Sequence, residues 1–424
     1  MNFQILHEQI FSGARVRIDS RQVTAGDVFF TVSGDRFNAN DFVSEVLKKE
    51  PSFVVMDEDR GIQDERVLIA EDGLRALQDL ARYHREKLNI PVVGLTGSNG
   101  KTTTKELFHA VLSSRYQCRA TAGNLNNHIG VPLSLLSIQE QDEVAIIEMG
   151  ANHQKEIEFL CSIAQPDIGY ITNFGLAHLE GFGGPEGVIK GKSELYDHLR
   201  AYGKKALVCS DDSEQVRRSE GIERLLFGQK EKDPFCFSTH KEGPTFQMKY
   251  QEKVVHTQLS GAYNFTNVAS AFSLGLMFEM EEEEIIQAIE SYIPTNQRSQ
   301  LQRSEGNNQL IIDCYNANPS SVENALESLA RFTGKRVALL GDMLELGAYE
   351  KKEHQRMLDC AKSLGIDEII TVGPIFASLK NEKVHSFSET EHARSFIEKQ
   401  AHNQCTILIK GSRGMRMEQL IDLL

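Results

Sequence analysis

Residues Pro91-Val92-Val93-Gly94-Leu95-Thr96 form a short apolar run. Gly97-Ser98-Asn99-Gly100 turn the chain, and Lys101–Ser114 carries a helical pattern. Few folds accommodate that order. A buried strand, a turn rich in glycine and a helix opening on lysine and threonines are the setting of a phosphate-binding loop. The glycines let backbone N–H groups converge on phosphate oxygens, and the helix start adds its positive end. In that setting Lys101 reaches the β- and γ-phosphates and the Thr102 hydroxyl suits Mg²⁺. The spacing departs from GxxxxGK[ST] at one place, since Leu95 stands where the first glycine would be. The reading is a nucleotide site made of Gly97, Ser98, Asn99, Gly100, Lys101, Thr102 and Thr103.

Around this loop the chain divides into three stretches. Residues 1–88 alternate short β-like runs (Val28–Val32, Ser52–Met56, Val67–Ile69) with polar turns, and close on a helical pattern over Leu74–Leu88. Residues 89–296 add strand runs at Val144–Ile147, Ile168–Thr172 and Ala206–Val208 between helix-length segments, the pattern of a mostly parallel sheet with crossovers. Phe235–Leu259 reads instead as short antiparallel strands, followed by a helix over Asn264–Met280. The polar segment Ile293–Asn308 marks a boundary. Residues 297–424 then restart the alternation with strands at Leu310–Asp313, Arg336–Leu340, Glu368–Val372 and Thr406–Ile409, and helices at Val322–Arg331 and Glu350–Ser363. The expected fold is α/β in three domains: a small N-terminal one, a central phosphate-loop domain and a C-terminal Rossmann-like one.

Composition narrows the partners. A net charge of −14 repels nucleic acid as a whole, although it does not bear on one local cleft. The seven cysteines are dispersed without a CxxC pair, which argues against a zinc site or a disulfide framework. The N-terminus lacks a basic flank followed by an apolar run, and no apolar stretch is long enough to span a bilayer. A soluble, cytoplasmic protein is the expectation.

Several residues near the loop suit phosphate chemistry. Glu148 follows the run Val144–Ile147 in IIEMGANH, where a strand-end carboxylate could hold Mg²⁺. His178 follows another strand in ITNFGLAHLEGFG. Lys190 and Lys192 lie in IKGKSELY, and Asn264 and Asn267 in GAYNFTNVASA, where Asn264 also suits a helix N-cap.

Taken together, TGSNGKTTT, EMG, NFGLAHLEGFG and YNFTN resemble the Mur ligases, which share their variant loop with the folylpolyglutamate synthetases. The resemblance implies an ATP-dependent amide ligase. Glu148 and His178, with Thr102 and Lys192, would hold two Mg²⁺ ions, and Asn264 and Asn267 would lie near the adenine. Lys192 aligns with a lysine that is carbamylated in this family. Lys190 is its rival, and the KxE spacing to Glu194 favours Lys192. Tyr263 stands where the family more often has histidine. GTPases and motor ATPases would need a guanine-reading NKxD or a switch glutamine after DxxG, and neither is evident.

The flanking stretches narrow the resemblance within the family. Ile311-Ile312-Asp313-Cys314-Tyr315-Asn316-Ala317-Asn318-Pro319-Ser320, Gly341-Asp342-Met343-Leu344-Glu345-Leu346-Gly347 and Lys410-Gly411-Ser412-Arg413 resemble DxYNANPxS, GDMxELG and KGSR. These are segments of the members that add D-alanyl-D-alanine to a UDP-N-acetylmuramoyl tripeptide. No DNPR motif, which the preceding enzyme uses for its diamino acid, is found. Thr121–Asn127 with Ile129–Pro132 is similar to the GNxNNxxGxP loop facing the muramoyl group. Asp19-Ser20-Arg21 and Gly26–Phe29 are similar to the uridine-side signature, although Asn40 stands where histidine is common. The resemblance therefore implies that Ser20, Arg21, Asn124, Asn126, Asn127, Asn318, Lys410, Ser412 and Arg413 contact substrate. It also implies that Arg298, Asp313 and Asn316 meet ATP when the third domain closes, and that the enzyme is a monomer.

Overall fold

The computed structural model describes residues 2–424 except 35, 36, 242, 244, 295–297, 299, 305, 380 and 401. It contains three sheets, one for each stretch of the sequence. The first has four parallel strands in the order Val16–Arg17, Val28–Phe30, Phe53–Met56, Val67–Ile69. A helix the alternation did not foretell, Phe3–Phe11, precedes it and buries Leu6 and Ile10. Helix Gly73–Lys87 closes this section, with Leu77, Leu80 and Ala81 on its buried face.

That helix also packs on Gly130–Leu135 and Glu156–Ala164 of the central section. Arg85 donates to the Ala164 carbonyl (3.0 Å) and pairs with Asp167 (2.7 Å), and the His84 Nε2 lies 3.0 Å from the Ile138 carbonyl. By packing, it belongs to both sections.

The central sheet has nine strands. Val92–Thr96 lies between Val144–Glu148 and Ile168–Ile171, all parallel, and every residue of Val92–Thr96 is buried. The chain builds the sheet in one direction through Cys118–Ala120 and Val144–Glu148, then crosses to Ile168–Ile171 on the other side. Such a reversal opens a crevice at the carboxyl ends of the strands, where ligands of open α/β sheets bind. Glu148 is the last residue of its strand, as expected. Glu223–Gly228 is a further parallel strand that polar Glu223 and Arg224 hid from pattern reading. Phe235–Lys241, Gln247–Tyr250 and Lys253–His256 pair antiparallel, as expected.

The third sheet has six strands and is parallel except at the edge, where Gln300–Arg303 pairs antiparallel with Gln309–Asp313. This edge strand lies inside the segment expected to be only a polar boundary. The expected junction of residues 296 and 297 lies outside the described residues. One apolar cluster runs from Leu6 and Leu77 through Ile147 and Leu179 to Leu326 and Met343, so all three sections share buried surface. Among the described residues no helix is long and apolar enough to cross a membrane.

Candidate active site

The loop takes its shape from its glycines. Gly97 has φ +141° and Gly100 φ +78°. A Cβ at Gly97 would lie 1.9 Å from the Thr172 hydroxyl, and one at Gly100 2.6 Å from Asn267 Oδ1. The neighbouring strand end holds the turn in place. Thr172 Oγ–H donates to the Asn99 carbonyl (2.6 Å), the Asn99 N–H to Asn173 Oδ1 (3.1 Å), and Ser98 Oγ–H to the Gly175 carbonyl (2.8 Å). Lys101 Nζ donates to the Gly97 carbonyl at 2.7 Å. Desolvation in the cleft lowers the Lys101 pKa, with the Glu148 charge opposing.

Glu148 is 1% exposed. Thr102 Oγ–H donates to its Oε2 (3.0 Å) and Asn126 Nδ2–H to its Oε1 (2.8 Å). Among the described residues no cation pairs with it. A buried carboxylate beside a threonine hydroxyl is a hard-oxygen donor set, and it fits Mg²⁺. His178, half-buried and in the left-handed region at φ +53°, faces the same cleft.

Lys192 is 1% exposed, whereas Lys190 is exposed, so burial separates two lysines that the sequence left as rivals. The Lys192 amine donates to the Ala151 carbonyl (3.1 Å) and lies 4.9 Å from the Phe182 ring centre. It therefore stands directly behind Ala151, which lines the cleft. Burial first, then the Lys101 charge, push its pKa well below the ordinary lysine value. Among the described residues Glu194 makes no ion pair with it, although the charges of Glu156 and Glu194 oppose that shift. The Glu194 carboxylate accepts the N–H groups of Lys155 (2.6 Å) and Glu158 (3.0 Å) at the start of helix Glu156–Ala164.

Asn264 and Asn267 tie the loop helix to helix Phe265–Met277. Asn267 accepts from Thr104 Oγ–H (3.1 Å) and donates to Asn264 Oδ1 (2.8 Å), and Asn264 donates to the Ser260 carbonyl (2.8 Å). Asn264 holds the N-cap position but makes no side-chain cap bond, so the N-cap reading does not describe what its amide does.

The third section closes the cleft. Arg298 lies 3.9 Å from the Tyr315 ring centre, Arg413 5.4 Å from it, and the Lys410 ammonium pairs with Asp313 at 2.6 Å. Asn318 caps helix Pro319–Ala330 in a capping box with Ser321, and its Nδ2–H donates to Asn99 Oδ1 at 2.7 Å. The Leu176 N–H donates to Ser320 Oγ (3.0 Å), and His178 Nδ1 meets the Glu345 carboxylate.

The resulting cavity of about 490 Å³ brings together Ser98–Thr103, Glu148, His178, Asn264, Asn267, Asn126 and Asn127 with Arg298, Asp313, Asn316, Asn318 and Lys410. Gly97, Lys192, Ser20, Arg21, Asn124, Ser412 and Arg413 do not line it. Ser20 and Arg21 lie in a short turn of the first section, with Arg21 folded onto Asp19 (2.7 Å), and Asn124 is exposed. Ser412 is 2% exposed, and its hydroxyl accepts the Leu344 N–H (3.0 Å). Sequence reasoning passed over Asn173, Glu156, Tyr315 and Asn324, which line the cavity. Asn173 was within reach, as a polar residue at a strand's carboxyl end beside the loop.

Residues 95–275 match the Mur ligase middle domain, and residues 297–413 match the Mur ligase glutamate ligase domain. The chain belongs to the Mur ligase family. It is 31% identical over 424 residues to the UDP-N-acetylmuramoyl-tripeptide–D-alanyl-D-alanine ligase of Bacillus subtilis (strain 168), with 96% of this chain and 92% of that one covered. A crystal structure of MurF from Acinetobacter baumannii superposes with a TM-score of 0.87 at 31% identity, covering 98% of this chain and 96% of that one. MurF ligase from Thermotoga maritima in complex with ADP also gives 0.87, at 26% identity, covering 98% and 97%. The three-domain α/β architecture is thus that of a Mur ligase.

Proposed function

We propose that this Mur ligase joins D-alanyl-D-alanine to the terminal carboxylate of UDP-N-acetylmuramoyl-tripeptide, with ATP as energy source, to make the pentapeptide precursor of peptidoglycan. The observation that carries the reading is a single cleft in which Lys101, Thr102, Glu148 and His178 face Arg298, Asp313, Asn316 and Lys410. The full-length similarity to ligases of that name supports the choice of substrates.

A carboxylate at neutral pH is a poor electrophile. Transfer of the γ-phosphoryl group to it gives an acyl phosphate, the dipeptide amine attacks the acyl carbon, and the tetrahedral intermediate collapses to amide and phosphate. Phosphoryl transfer needs alignment and charge neutralisation more than covalent help from the protein. The loop N–H groups and Lys101 hold the phosphates, Asn264 and Asn267 flank the nucleotide beside the loop helix, and Arg298, Asp313 and Asn316 meet it from the third domain. Thr102, Glu148 and His178 would hold Mg²⁺, two ions in this reading, which neutralises phosphate charge when bound. Lys192 is buried and its pKa depressed, so its amine is poised to trap CO₂ as a carbamate; this supports its assignment as the carbamylated lysine.

In this reading residues 1–88, with Ser20 and Arg21, take the uridine end of the acceptor. Asn124, Asn126 and Asn127 face the muramoyl group. Residues 297–424, with Asn318, Lys410, Ser412 and Arg413, take the dipeptide. In this reading the enzyme acts as a monomer, and its nucleotide-linked substrates suit the cytoplasm.

The test is phosphate release from Mg·ATP with the tripeptide nucleotide and D-alanyl-D-alanine, together and singly. Release that needs both, with a product heavier by the dipeptide, is the expected result. Release without either substrate, or with folate and glutamate in their place, would overturn it.

A further inference from the structure

The segment Gly341–Gly347 follows strand Arg336–Gly341 and lies against the central section, and no role above uses it. Its backbone is fixed from several sides. Asp342, fully buried, accepts the N–H groups of Ile375 (2.8 Å) and Phe376 (3.0 Å), and its carbonyl accepts the Ser412 N–H (3.1 Å). The Met343 N–H donates to His354 Nε2 (2.9 Å), the His354 Nδ1–H donates to the Glu350 carbonyl (2.7 Å), and the Leu344 N–H donates to Ser412 Oγ (3.0 Å). His354 is therefore neutral, with both ring nitrogens committed to backbone groups.

Held this way, the chain turns through Glu345 at φ +63°, a conformation that disfavours residues with a side chain. The turn aims Glu345 at the segment 178–184. The Glu345 carboxylate meets His178 Nδ1, and its carbonyl accepts the Glu180 N–H (3.2 Å). Gly347 packs against Glu180, where a Cβ would lie 3.2 Å from the Glu180 Cβ. Among the described residues the His178 ring has no other hydrogen-bond partner.

We propose that Glu345 is a positioning residue, which the third domain delivers to His178 when it docks on the central domain. An imidazole whose Nδ1–H is held by a carboxylate has a fixed tautomer and plane, and its Nε2 lone pair is free to act. His178 lines the cleft, so docking of the third domain and preparation of the histidine become one event. The proposal rests on the ligase reading for its kinetic consequence but not for its structural one.

The experiment compares the full-length wild type with Glu345→Ala and Glu345→Gln. Ring ¹⁵N shifts of His178, assigned with His178→Gln, report the tautomer. Initial rates with Mg·ATP and both substrates report kcat and KM. The expected wild-type ring is protonated at Nδ1 and bare at Nε2. Glu345→Ala should lose that bias and lower kcat by roughly 10- to 100-fold with little change in the KM for ATP. Glu345→Gln, the same shape with an acceptor oxygen, should keep the tautomer and recover part of kcat. Unchanged ring shifts in Glu345→Ala, or a wild-type kcat, would overturn the proposal. A wild type that consumes no ATP with these substrates would sink the ligase reading instead, and the ring shifts would still decide the role of Glu345.

Discussion

Lys192 offers the sharpest residue-scale test, because its environment suits a base better than a cation. No carboxylate pairs with its ammonium among the described residues, and an aromatic face and a backbone carbonyl are its neighbours. An amine that loses its proton easily can add CO₂ with release of a proton, and the carbamate then puts a negative charge, directed toward the cleft, where a neutral amine stood. Lys192→Ala should lower turnover by at least about 100-fold, as the loss of one electrostatic group from an active site typically does. Formate added in millimolar amounts should restore part of it by occupying the same space. Full activity in the alanine variant would end the carbamate role. The sequence could point to Lys192 only by family resemblance, since a lysine in a helical pattern reads as exposed. Lys101, Thr102 and Glu148 were legible without that help, because a strand–turn–helix context and a strand end fix where their side chains must point. The contact between Glu345 and His178 was not legible: it joins positions 167 residues apart in the chain, although the resemblance singles out the segment that carries Glu345.

At the scale of elements, the least legible feature is how helix Phe3–Phe11 is tied to the rest. Its His7 Nδ1 lies 3.0 Å from the Nδ1 of His84 on helix Gly73–Lys87, and His84 Nε2 reaches the Ile138 carbonyl of the central section. The geometry assigns the protons: His84 donates from Nε2 and accepts at Nδ1, so His7 is the donor between them. Burial, and then the neighbouring His7, lower the His84 pKa from 6.5 to about 4. The unfolded chain therefore binds a proton near pH 6.5 that the folded one refuses until about pH 4. Stability contributed by this group is fully present above pH 6.5 and falls as pH drops toward 4. The loss is bounded at about 3 kcal/mol for a shift of this size. The urea midpoint should fall between pH 7.5 and 5, and His84→Gln should flatten that slope. An equal slope in wild type and variant would assign the acid sensitivity elsewhere. Elements with clear periodicity, such as Glu350–Ser363 and Val67–Ile69, were legible to the residue. Phe3–Phe11 and Glu223–Gly228 take their order from tertiary contacts, the burial of Leu6 and Ile10 and the pairing with Lys205–Cys209, which a local pattern does not carry.

For the molecule as a whole, the sequence separates three α/β sections, and only the family resemblance says that the third closes on the nucleotide; the cleft forms where they meet. Besides the Glu345 contact, the central and third sections are joined at the phosphate loop itself, where Asn318 Nδ2–H donates to Asn99 Oδ1 at 2.7 Å. Asn99 belongs to the turn proposed to receive phosphate, and Asn318 opens the helix whose first turn faces it, so in that reading nucleotide binding and docking act on the same pair. Asn318→Ser isolates this link, because serine keeps a helix cap but is too short to span to Asn99. The expected outcome is a KM for ATP raised several-fold and a larger radius of gyration with nucleotide bound, while the melting temperature without ligand changes little. Asn99→Ala should act in the same direction. Combined, the two changes should do little more than either alone, with a coupling of about 0.5–1.5 kcal/mol in kcat/KM, the size of one hydrogen bond. Strictly additive effects would mean that Asn99 serves the nucleotide and Asn318 the dipeptide independently, and that the domains are held together by the apolar seam from Leu179 to Met343 rather than by the phosphate loop.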